Sequence, residues 1–120
     1  MITNFEEITE DLMQDELRLI RYVEQAFKRI GQSAIKSEEL CKIINTLYQL
    51  ETMERQFPVN GVKLRKMVNY IRKNGILPII ATSRGYFVTY EKELIEKQIK
   101  SLNERAAGIK DAANGMLRYL

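Results

Sequence analysis

Six basic side chains, Lys63, Arg65, Lys66, Arg72, Lys73 and Arg84, fall between residues 58 and 90, in a stretch that contains no acid. Asn69 and Tyr70 are interleaved among the first five. Ammonium and guanidinium groups at this density attract anions, and Lys, Arg and Asn are the residue types that donate to phosphate oxygens and to the edges of bases. Residues 1–24 run the other way, with seven acids against two bases, so the net charge of +3 conceals a local block of +6 and another of −5. Such a block marks an anion-binding surface, and in a cytoplasmic protein the commonest large anion is nucleic acid. The competing reading of the same residues is a solvated face.

Other chemistries are excluded by what is missing. The chain has no His and a single Cys, Cys41, which removes the Ser/His/Asp triad, the Cys/His dyad, the zinc finger, the CxxC pair and the internal disulfide. The carboxylate pairs Asp15/Glu16 and Glu38/Glu39 sit at helix starts, where capping and dipole effects account for them, and there is no Gly-rich phosphate loop. No enzyme activity, cofactor, metal or small-molecule ligand is expected. Cys41 reads as a buried small hydrophobe. The longest apolar run, Ile76–Ala81, is six residues and contains Pro78, far short of the ~20 that cross a bilayer. With no basic leader at Met1–Glu7, a cytoplasmic protein without a membrane partner is expected.

The elements that must position the basic residues follow from periodicity. A chain of 120 residues suits a single domain, read as a core over 8–90 and a helix over 91–120. Leu12, Leu19, Val23, Ala26 and Ile30 predict one long helix from Ile8 to Ile30, open to a break near its acidic start, with Gly31 after its last turn. Ser37 is the expected N-cap of a second helix with Leu40, Ile43, Ile44 and Leu47 on its apolar face. Asn60-Gly61 opens a third, in which Leu64, Met67, Val68 and Ile71 form the apolar stripe and Asn74-Gly75 the stop. At about 100° per residue, Lys66, Asn69 and Lys73 point away from that stripe, with Lys63, Arg65, Tyr70 and Arg72 on the flanks. Residues 78–81 and 86–90 predict a β-hairpin, with Thr82-Ser83-Arg84-Gly85 as its turn and Gly85 at positive φ. Ile95, Ile99, Leu102, Ala106, Ile109, Ala113, Met116 and Leu120 form a heptad stripe on a last helix from about Glu91 to the end. The fold class is therefore mainly α with a small β-hairpin, α+β.

Three helices and a hairpin, the third helix basic and the hairpin tip carrying Arg, resemble the winged helix-turn-helix family. The run Asn60-Gly61-Val62-Lys63-Leu64-Arg65-Lys66-Met67-Val68-Asn69-Tyr70-Ile71-Arg72, then Gly75-Ile76-Leu77-Pro78-Ile79, then Ser83-Arg84-Gly85-Tyr86-Phe87, is similar to small winged-helix proteins of bacteriophages and prophages. The resemblance covers residues 17 to about 112. One departure stands out: 24 positions separate Leu40 from Leu64, where a compact helix-turn-helix has roughly half as many. The extra residues, about Asn45–Phe57, lengthen the second helix or form an inserted element.

The resemblance implies that the third helix enters the major groove of double-stranded DNA, with Lys66 and Asn69, joined by Arg65, reading bases. Lys63, Tyr70, Arg72, Lys73 and the wing residue Arg84 would contact the backbone or the minor groove. The function so implied is sequence-selective binding of double-stranded DNA, in transcription regulation or in phage replication or development. The alternative is a winged-helix protein-interaction module that does not bind DNA. The heptad stripe is expected to form a homodimer through Ile95, Ile99, Leu102, Ile109, Met116 and Leu120. The intrachain alternative sets the acids near residues 6–16 against Lys97, Lys100 and Arg105.

Overall fold

The computed structural model describes residues 11–120, so the expected helix start at Ile8 lies outside the described residues. The chain is α+β, mainly helical with one antiparallel hairpin: α1 Gln14–Leu17, α2 Ile20–Ile30, α3 Ser37–Thr52, α4 Gly61–Lys73, β1 Ile79–Thr82, β2 Gly85–Val88 and α5 Lys92–Met116, closed by a 3₁₀ turn at Leu117–Tyr119. Among the described residues, its contacts separate residues 11–89 from a second unit that holds Tyr90–Leu120. No helix among the described residues is long and apolar enough to cross a membrane.

The first helix is two helices. The stripe predicts one helix open to a break near its acidic start, and the chain does break, at Arg18-Leu19, between two helices that bury different residues. Glu16 is the buried residue of α1, whereas α2 buries Ile20, Tyr22, Val23, Ala26 and Phe27. Gly31 takes φ 56° after the last turn of α2, as expected. Ser37 is the first residue of α3; its N-cap is Lys36, with no side-chain cap, so the expected cap is shifted by one residue. α3 packs on α2 and α4, and the rings of Tyr22 and Tyr48 meet edge to face with centroids 5.6 Å apart.

The extra residues between the second and third helices lengthen α3 to Thr52 and then form a folded-back loop. Met53 terminates the helix in the left-handed region, at φ 63°. Thr52 Oγ1 accepts from Glu54 N, and Gln49 Nε2 donates to Gln56 O, which turns the chain back along α3. Asn45, buried in the middle of α3, fixes the loop's far end: its Nδ2 donates to Val59 O and its Oδ1 accepts from Val59 N, both at 2.9 Å. The amide thus satisfies both polar groups of one buried backbone residue, and the next residue, Asn60, accepts from Lys63 N as the N-cap of α4.

The hairpin pairs Ile79 with Val88, Ile80 with Phe87, Ala81 with Tyr86 and Thr82 with Gly85, leaving a two-residue turn, Ser83-Arg84, where four turn residues are expected. Gly85 has φ 122°. It is confined to glycine twice over, since a Cβ there would stand 2.1 Å from Ile35 O. That close approach comes from an element the periodicity does not reveal: Ile35, just before α3, bridges to Tyr86 on the free edge of β2, by hydrogen bonds of 2.8 and 2.9 Å. The hairpin is thereby tied to the entrance of α3.

Candidate nucleic-acid interface

The roll of α4 about its axis is set by its apolar side. Leu64, Met67, Val68 and Ile71 are buried, and each such side chain gains roughly 1.5–3 kcal/mol on leaving water. The remaining arc carries the basic residues, but they divide into two groups.

One side of that arc is open. Val62, Arg65 and Lys73 are exposed and Asn69 is half-buried. Their spacing, i, i+3, i+7 and i+11, makes them a continuous stripe along one line of the helix surface. A guanidinium, an amide and an ammonium are presented there in sequence, with the apolar Val62 at the N-terminal end. Arg84 is exposed at the hairpin turn, where Thr82 Oγ1 accepts from its backbone N–H and holds the tip.

The other side is engaged. Lys66, expected on the open face, has its side chain only 15% exposed and its Nζ 3.0 Å from Glu16 Oε1, whose own side chain is 7% exposed. This is a correction to its assignment as a freely presented base reader. Lys66 sits one step around the helix from Asn69, on the side that α1 covers. Lys63 lies on this side too, half-buried and close enough for its charge to act on Glu16. The Glu16 carboxyl is held below the usual carboxylate range, first by the hydrogen bond it accepts from Met13 N; desolvation opposes this, and Lys66 adds to it. On the open stripe itself, Lys73 stands 3.4 Å from Asp11 in a pair that remains open to solvent.

Two further assignments change. Arg72, expected on a flank as a backbone contact, is turned toward the hairpin, with its Nε donating to Ile79 O at 3.0 Å, and so braces β1 on α4. Tyr70 is partly buried against the core. Cys41 is buried, and burial pushes its thiol up, as suits a small core hydrophobe.

Asp11 and Glu16 face α4; the acids at 6, 7 and 10 lie outside the described residues. In the C-terminal unit, Ile95, Leu102 and Ile109 are half-buried, and Ile99 and Met116 are exposed by 53% and 68%. The α-helix ends at Met116, so Leu120 follows the 3₁₀ turn and falls outside the regular heptad geometry.

Sequence reasoning finds the basic helix and the turn arginine but misses Asn45, Ile35 and Glu16. Each of these acts through a partner remote in sequence, and only Glu16 left a signal, the acidic block itself. Comparisons with protein-family models, with curated proteins and with solved structures gave no match.

Proposed function

We propose that this protein binds double-stranded DNA, with α4 in the major groove and the β1–β2 hairpin against the backbone, in the manner of a winged helix. The observation that carries the reading is the open stripe Arg65, Asn69 and Lys73 on a helix whose opposite side is fixed in the core, together with an exposed Arg84 at the tip of a tethered hairpin. The major groove admits an α-helix, Arg donates bidentately to guanine and Asn pairs with adenine. Arg65 and Asn69 are the base-reading groups in this proposal, and Lys63, Lys73 and Arg84 contact phosphate. The role is sequence-selective regulation of transcription, or of phage replication or development. The apolar stripe of α5 supports a homodimer, which would set two α4 helices on successive turns of the duplex.

A second reading, a protein-interaction module, is favoured by the exposed Leu50, Met53 and Phe57 near and beyond the end of α3. Selection of bound sequences from a random duplex pool separates the two. Enrichment of a pseudo-palindrome supports the dimeric DNA reader, and no enrichment over background supports the interaction module.

A further inference from the structure

The acidic segment meets the lysines of the basic helix through its carboxylates. α1 buries no apolar side chain; Met13 is 65% exposed and Leu17 38%, and the buried residue is Glu16. Leu12 packs partly buried against the core, and the segment reaches the lysines of α4 through its carboxylates: Glu16 on Lys66 at 3.0 Å and Asp11 on Lys73 at 3.4 Å, with Lys63 adding its field. A buried ion pair adds little net stability, because the attraction between the partners is offset by the cost of taking both from water. The arrangement therefore does little as a clasp, yet it places two carboxylates on ammonium groups of the helix proposed to meet phosphates.

We propose that residues Asp11–Glu16 are an intramolecular stand-in for the DNA backbone, covering one flank of α4 and competing with phosphate for Lys66 and Lys73. This rests on the DNA-binding reading of α4 and deepens it. In the covered state the protein offers Arg65 and Asn69 at reduced positive potential; displacement of the segment frees Lys73 and adds Lys66 to the footprint. Since the binding-competent form is only a fraction of the population, apparent affinity is reduced by that fraction. The reduction is a common factor for every duplex, so the segment holds down DNA affinity as a whole, non-specific binding included.

The test uses the full chain and a duplex of arbitrary sequence, titrated at several salt concentrations, with far-ultraviolet circular dichroism as the folding control. Glu16→Gln is expected to tighten non-specific binding by about threefold or more and to steepen the slope of log K against log salt by about 1, the contribution of one further phosphate contact. Asp11→Asn, at a solvent-open pair that folding does not need, should give a smaller gain. Adding Lys66→Met to Glu16→Gln should abolish the gain of Glu16→Gln. Duplex binding with unchanged affinity and slope in both acid variants overturns the proposal, as does a gain that survives Lys66→Met. If wild type and variants are all folded and none binds duplex, the DNA reading itself fails, and the proposal with it.

Discussion

Glu16 and Lys66 are fifty residues apart in the chain and 3.0 Å apart in the fold, with both side chains largely removed from water. Their pairing takes Lys66 out of the set of basic residues that α4 presents outward. It also gives Lys66 a role in stability that a surface lysine would not have.

Lys66→Met is therefore expected to lower stability by about 1–3 kcal/mol, because it leaves the Glu16 carboxylate shielded from water without its cation. Arg65→Ala, on the open side, should change stability by less than about 0.5 kcal/mol. Acid acts on the same pair. The Glu16 carboxyl is depressed by Met13 N–H and Lys66, so its stabilising contribution is full above the ordinary carboxylate pKa and is lost as pH falls through the depressed value. Thermal melts across the acid range should show wild type losing more stability than Glu16→Gln.

The helices, the hairpin and the left-handed glycines 31 and 85 were legible in the sequence because each is a local signal, a period or a turn residue. The side-chain facing of α4 was legible only in part. Its apolar stripe gives the buried side correctly, but helical geometry says nothing of what another segment lays on the polar side. Periodicity thus sets Lys66 outward and Arg72 on a flank open to phosphate, whereas they turn to Glu16 and to Ile79 O. The Ile35–Tyr86 bridge is a single residue pair with no period to reveal it, and Asn45 looks like any polar residue in a helix until Val59 is brought against it.

Asn45→Ala removes both hydrogen bonds to Val59 and leaves a buried backbone N–H and C=O unpaired. A loss of about 2–6 kcal/mol is expected in denaturant unfolding, at roughly 1–3 kcal/mol for each of the two groups left unsatisfied. Asn45→Asp should recover little, since a carboxylate accepts from Val59 N but cannot donate to Val59 O.

Reading and positioning should separate on α4 and the hairpin. Arg65→Ala and Asn69→Ala are expected to cost about 1–3 kcal/mol at a preferred duplex while changing non-specific binding much less. Arg84→Ala and Lys73→Ala should weaken preferred and random duplexes alike. Parallel titrations of both duplexes check this.

Truncation after Glu104 removes Ile109 and Met116 from the α5 stripe. The shortened chain should sediment as a monomer, keep its melting transition and bind a two-half-site duplex far more weakly than the full chain. If the full chain is itself monomeric at high micromolar concentration, the α5 dimer is excluded.

The salt dependence of duplex binding bears most directly on the central claim. With Lys66 engaged by Glu16, Arg72 by the hairpin and Arg65 on the bases, three cations remain to meet phosphate: Lys63, Arg84 and Lys73, the last by exchanging its solvent-open pairing with Asp11. At about 0.9 counterions released per contact, log K for wild-type protein should fall against log salt with a slope of roughly −2 to −3. A slope indistinguishable from zero would contradict the account and leave α4 as a solvated face.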